Sequence, residues 1–192
     1  MKVAQALAAA AIGLLTAARL PAAGGAWLDT QFANWNSPGA TLPTAPSAQG
    51  NPDPRCREQT RPAAGAEDRA VMAAGWTLVG PLQVFGDTSV VTATSAFDGM
   101  CRWWSYQVFV FVRGDFAGTL SREPMNSRTD GAAVEVHLYQ TSSISAEFVR
   151  YTDKDPLCCP SGRSVVSYRI ERTPEGPVLV PATVATEPTK AP

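Results

Sequence analysis

From residue 76 onward the apolar positions recur mostly with a period of two, in short runs separated by turn residues. That is the signature of β-strands. Trp76–Phe85 predicts a strand that Gly80-Pro81 interrupts, so it is bent or lies at an edge. Ser89–Ala96 predicts a second strand, ending at Asp98-Gly99. Tyr106–Val112 (YQVFVFV) is apolar at nearly every position, which predicts a central strand buried on both faces. Arg113-Gly114-Asp115 turns the chain into Phe116–Leu120, and Asp130-Gly131 turns it into Ala132–Tyr139. Ile144–Thr152, Ser164–Arg172 and a short edge strand Val178–Val180 follow. One stretch has helical spacing. It starts at Gly65 or Ala66 and ends at Ala74, with Ala66, Ala70, Val71, Ala73 and Ala74 as its apolar side. Glu67 and Asp68 suit its first turn, and Gly75 follows its end. The fold expected is α+β: mainly an antiparallel β-sheet of six to eight short strands with one packed helix.

The flanks read differently. Met1-Lys2, the apolar run Ala6–Ala18 and the small residues up to Ala26 follow the order of an export signal, with cleavage before Trp27. The apolar run is shorter than the roughly 20 residues that span a bilayer. No later run is long enough to span, so no transmembrane segment is expected after signal removal. Residues 27–54 form an extended Pro-rich arm with Trp27, Phe32 and Trp35, read either as a strap pinned by its aromatics or as a plain linker. The folded domain is expected at 55–181, and residues 182–192 as a flexible Pro/Thr tail.

Composition narrows the function. The 192 residues carry 16 Lys+Arg against 17 Asp+Glu, so there is no basic excess to neutralise phosphates, and nucleic acid is not an expected partner. The apolar share of 45% argues against wholesale disorder. A single histidine, His137, limits His-based catalysis and multi-His metal sites.

Four cysteines, Cys56, Cys101, Cys158 and Cys159, in an exported chain favour a disulfide framework with three possible pairings. A bridge between neighbours would be strained, because adjacent α-carbons lie closer than ordinary disulfides allow. The expected pattern is two long-range bridges, from Cys56 and from Cys101, each ending in the Cys158–Cys159 pair. Metal binding by the cysteines is the competing reading, weakened by the absence of a C-x-x-C spacing. No metal and no cofactor are expected.

Two segments carry a resemblance: Asp98–Ala132 (DGMCRWWSYQVFVFVRGDFAGTLSREPMNSRTDGA) and Asp155–Ile170 (DPLCCPSGRSVVSYRI). With its Asp-Gly-x-Cys turn, Met-x-Ser-Arg-x-Asp-Gly stretch and doubled cysteine before Pro-Ser, the chain resembles the LppP/LprE-type family of bacterial exported lipoproteins. The resemblance implies a protein outside the cytoplasmic membrane, and it brings no catalytic residues. The first cysteine, Cys56, lies far beyond the expected cleavage point, so no lipobox cysteine is present there and the mature chain is expected to be unlipidated.

Two surfaces are candidates for function. Arg102, Trp103 and Trp104 follow Cys101, with Arg122, Arg128 and Arg150-Tyr151 in later segments. Adjacent strand residues point oppositely, so one tryptophan is expected in the core and the other near the surface. An exposed tryptophan beside arginines suits an envelope protein, lipid headgroup or glycan partner. Alternation also puts Glu135, His137 and Tyr139 on one face and Val134, Val136 and Leu138 on the other. The polar stripe reads first as the solvent side of a half-buried strand and second as an acid–base group. The function expected is a non-enzymatic interaction or ligand-binding module of the cell envelope. The alternatives are an extracytoplasmic hydrolase-like enzyme using His137, or a thiol-redox or metal-handling protein using Cys158-Cys159.

Overall fold

A computed structural model describes residues 26–30, 33–47 and 54–189. The expected export signal, apart from Ala26, and Phe32 lie outside the described residues. The described residues form α1 (Ala66–Ala73) and eight strands: β1 (Thr77–Phe85), β2 (Thr88–Phe97), β3 (Trp103–Val112), β4 (Asp115–Thr119), β5 (Ala133–Gln140), β6 (Ser143–Arg150), β7 (Gly162–Thr173) and β8 (Gly176–Pro188). These make two four-stranded antiparallel meanders, β1-β2-β3-β4 and β5-β6-β7-β8.

The fold is therefore mostly β, which corrects the α+β expectation. The helix has eight residues, and of its expected apolar side only Val71 is fully buried. Ala66, Ala70 and Ala73 are exposed. The face turned inward instead carries Asp68, which takes two bonds from the Arg61 guanidinium (2.6 and 2.7 Å) and one from the Ala64 N–H (2.8 Å). The expected flexible tail is corrected as well. Residues up to Pro188 belong to β8, which pairs with β7 from Thr173↔Gly176 to Gly162↔Pro188.

The central strand behaves as its apolar run predicts. On one face of β3, Tyr106, Val108, Val110 and Val112 join Ile144, Ala146, Phe148, Val166, Tyr168 and Leu179 in a core shared by both sheets. On the other, Phe109 and Phe111 pack with Val71, Trp76, Leu78, Val91 and Ala93. The second sheet has one solvated face. Along β7, Ser164, Val166, Tyr168 and Ile170 are buried, while Arg163, Val165, Ser167, Arg169 and Glu171 point outward.

The arm is a strap over the domain. Trp27 packs edge-on against Trp35 (5.0 Å) and Phe148 (5.2 Å). Asp29 takes two bonds from Arg150 (2.9 and 2.7 Å), which also reaches Asp130 and Ser164. Further along, the Trp76 indole donates to the Pro43 carbonyl (2.8 Å) and Ala45 N–H to Ala74 O (2.9 Å).

At both seams an edge strand of one sheet lies beside an edge strand of the other, β4 beside β8 and β1 beside β5. A side-chain amide closes each. The Asn36 NH2 donates to Thr119 O (3.1 Å) and Leu179 O (3.0 Å), and its Oδ1 accepts from Thr119 N–H (2.9 Å). Gly118, at φ +142, leaves room for this amide, because a Cβ there would collide with it. At the other seam the Gln83 NH2 donates to Val136 O (2.8 Å), and its Oε1 accepts from Leu138 N–H (3.1 Å). The register shift between Val79 and Gln83, where Gly80 takes φ +61, interrupts β1 where the sequence predicts a bend. Two buried tyrosines add cross-sheet bonds, Tyr106 OH to Ala133 O (2.6 Å) and Tyr168 OH to Leu120 O (2.5 Å).

Asn36→Ala should cost about 2 kcal/mol, because it strands the Thr119 N–H and the Leu179 carbonyl at the β4–β8 seam, while the Thr119 carbonyl keeps the Trp35 indole as a donor (3.1 Å). Gly118→Ala should cost at least as much, by expelling the same amide. Urea unfolding measures both. A loss below about 0.5 kcal/mol for Asn36→Ala would show that the seam closes without it.

Candidate functional site

Between β2 and β3, residues 98–102 form a turn built around one carboxylate. Asp98 Oδ1 accepts from Met100 N–H (2.8 Å) and Arg102 N–H (3.0 Å), and Oδ2 from the Arg102 guanidinium (2.5 Å). Backbone bonds Asp98 N–H to Arg102 O (3.0 Å) and Cys101 N–H to Asp98 O (2.9 Å) complete it. Burial pushes the Asp98 carboxyl up, but its bonds from Arg102 and Met100 outweigh this and hold it below its ordinary 3.8. Cys101, at φ +59, is bridged to Cys56. Cys56 is the buried residue of an otherwise exposed 3-10 turn, Pro54–Gln59.

This frame presents the two tryptophans on opposite sides, as strand geometry predicts. Trp103 packs edge-on against Tyr106 (5.6 Å) and onto the shared core. Trp104 is 45% exposed and Met100, in the turn, 69%. Ser105 follows at φ +51, its N–H donating to Asn126 Oδ1 (2.8 Å). Two non-glycine residues in the left-handed region, Cys101 and Ser105, thus bracket the tryptophan pair. Such backbone persists only where the surroundings fix it. Beside Trp104 lies a groove of about 550 Å³ lined by Pro46, Ser95, Phe97, Asp98 and Ser105 among others.

The second candidate surface is an exposed strand face. Glu135, His137 and Tyr139 all point to solvent from β5. Glu135 Oε2 lies 3.2 Å from His137 Nε2, and the His137 and Tyr139 rings stack at 5.2 Å. A shallow groove of about 360 Å³ on the β1–β5 side touches Glu135 and His137. Val134, expected on the buried face, is 54% exposed. The register shift between Ala133 and Glu135 on this edge strand takes it out of the core.

The expected long-range bridges to the doubled cysteine are corrected. Cys56 pairs with Cys101, and Cys158 with Cys159. Cys56 and Cys101 meet beside the first sheet, whereas Cys158 and Cys159 lie in the loop joining β6 to β7 of the second. That loop is organised by Asp155, whose Oδ2 accepts from Thr152 N–H (2.8 Å), Ser161 N–H (3.0 Å) and Ser161 Oγ (2.8 Å). These bonds, that from Thr152 foremost, hold Asp155 at about 2.

The arginines do not assemble with Trp104 into one patch. Arg102 is tied to Asp98, Arg150 to Asp29 and Asp130, and Arg122 lines a separate groove under the strap. Among the described residues no three His, Cys, Asp or Glu side chains form a metal-holding group. Asn36 and Gln83, which close the seams between the sheets, carry no sequence motif beyond polar residues flanked by turns or apolar runs.

A family model described as LppP/LprE lipoprotein matches residues 85–173. Over that span the chain is similar to the LppP/LprE lipoprotein family. No curated protein and no solved structure matches it. The LppP/LprE span begins at the last residue of β1 and ends at the last of β7. It contains the Asp98 turn, both tryptophans and the doubled cysteine, and leaves outside the strap, the helix, β8 and Cys56. The lipoprotein-family match and a disulfide both point to an extracytoplasmic, envelope-associated protein. Among the described residues no helix is long and apolar enough to cross a membrane.

Trp103→Ala should cost about 3 kcal/mol, and Trp104→Ala less than about 0.5 kcal/mol, in urea unfolding. Equal costs would contradict the assignment of one tryptophan to the core and the other to the surface. Asp68, Asp98 and Asp155 all have folded-state pKa values below the ordinary 3.8. Their contribution is present in full above that value and is lost as pH falls through the folded values. Stability should therefore drop between about pH 4 and pH 2, and Asp98→Asn should flatten part of that drop in acid titrations followed by circular dichroism.

Proposed function

We infer that this LppP/LprE-like protein is a non-catalytic binding module of the bacterial cell envelope, and that it holds a glycan at Trp104. The observation that carries this reading is the half-exposed indole at the start of β3, whose backbone is fixed from three directions: by the Asp98 turn, by the Cys56–Cys101 bridge and by the Ser105–Asn126 bond. A rigid aromatic loses little conformational freedom when a ligand stacks on it. The groove beside it offers the apolar walls of Pro46 and Phe97 and the hydroxyls of Ser95 and Ser105. That combination suits a sugar ring, with one C–H face and a rim of hydroxyls. The His137 stripe supports catalysis less well. Its three side chains lie on an exposed strand face, bonded and stacked with one another.

Soluble peptidoglycan-derived glycan strands, titrated against the mature protein, should change its tryptophan fluorescence in a saturable way. Trp104→Ala should abolish the response and His137→Ala should leave it intact. Loss of binding in His137→Ala with retention in Trp104→Ala would move the site to β5 and revive the acid–base reading.

A further inference from the structure

The doubled cysteine is set apart from the rest of the fold by where it sits. Cys158 and Cys159 are both exposed, next to Leu157 at 69% exposure, whereas Cys56 is only 2% exposed. Being neighbours in the chain, the two have α-carbons 3.8 Å apart. Ordinary disulfides span about 4.4–6.8 Å, and strained or exposed bridges are the easily reduced kind. The loop is also held by contacts that do not involve sulfur. Asp155 binds Thr152 and Ser161 across its base, the Tyr151 hydroxyl donates to Leu157 O (3.0 Å), and Cys159 N–H donates to Pro156 O (2.9 Å). Breaking the sulfur bond therefore leaves the loop in place.

We propose that Cys158–Cys159 is a reversible two-electron redox site that exchanges with an extracytoplasmic Cys-x-x-Cys dithiol protein, while Cys56–Cys101 is a fixed staple. In the exchange, a thiolate of the partner attacks one sulfur of the pair. The Sγ–Sγ bond breaks, a mixed disulfide forms, and the neighbouring sulfur leaves as a thiolate and takes up a proton. The partner's second thiolate then attacks its own sulfur in the mixed disulfide and frees the other cysteine, which is also protonated. Two electrons and two protons pass to the pair, and the partner is left as its disulfide. Leu157 gives the incoming dithiol protein an apolar contact beside the sulfurs. The site is separate from the Trp104 groove, so the two readings stand or fall independently.

The test equilibrates the mature protein with dithiothreitol at graded reduced-to-oxidised ratios, traps thiols by alkylation and maps them by mass spectrometry. Cys158 and Cys159 should reach half-labelling at a ratio at least tenfold lower than Cys56 and Cys101, equivalent to about 30 mV for a two-electron couple. Reduction of the two pairs within tenfold of each other, or full labelling of Cys158 and Cys159 without reductant, overturns the proposal. A thioredoxin-fold protein whose resolving cysteine is replaced by serine should form a mixed disulfide that maps to Cys158 or Cys159. The doubly substituted Cys158→Ser, Cys159→Ser protein should keep its near-ultraviolet circular dichroism and lose the adduct. Persistence of the adduct in that variant, or its absence from the unsubstituted protein, also overturns the proposal.

Discussion

The architecture depends on how two open sheets deal with four exposed edges. An unpaired strand edge leaves donors and acceptors that are costly to bury and prone to pair with other chains. Here one amide side chain at each seam takes the place of a backbone partner. Asn36 binds the N–H and C=O of Thr119 and the C=O of Leu179, and Gln83 binds the C=O of Val136 and the N–H of Leu138. An amide presents one acceptor and two donors, so it copies the bonding pattern of a strand residue. The two sheets can then share a single core without a continuous ladder around it.

This closure gives the strap a structural role. Asn36 belongs to the segment before the first sheet, and Trp27, Trp35, Pro43 and Ala45 bind that segment to the domain. The family match starts only at residue 85, so the LppP/LprE span of this chain is completed by elements outside it. Cys101 illustrates the dependence, because its partner Cys56 precedes the span. The strap also supplies Pro46 to the groove beside Trp104, so the first sheet's scaffold and its candidate binding surface are built together.

Much of the fold was legible in the chain because strands declare themselves locally. The eight strands, the bend at Gly80-Pro81, the hairpin at Arg113-Gly114 and the doubly buried β3 follow from period, turn chemistry and apolar runs. The division into two sheets was not legible, since it depends on which edges meet, and that is set by single polar side chains such as Gln83. The helix's inward face misled for a similar reason. An alanine-rich stripe reads as its buried side, but the Arg61–Asp68 pair makes Asp68 the residue turned inward. β8 extends past its apolar core because β7 offers a long edge, which Pro- and Thr-rich composition conceals. At the site, the opposed tryptophans could be read from alternation, whereas the cysteine pairing could not, because it depends on which loops end beside which sheet.

Amide hydrogen exchange of the protein, followed residue by residue by NMR, tests the closure most directly. Thr119 and Leu138 N–H groups face outward from edge strands, yet each is held by a side-chain amide. The account requires both to exchange as slowly as the ladder amides of neighbouring strands. Exchange at the rate of a solvent-exposed edge amide, with the interior of β3 still protected, would contradict it.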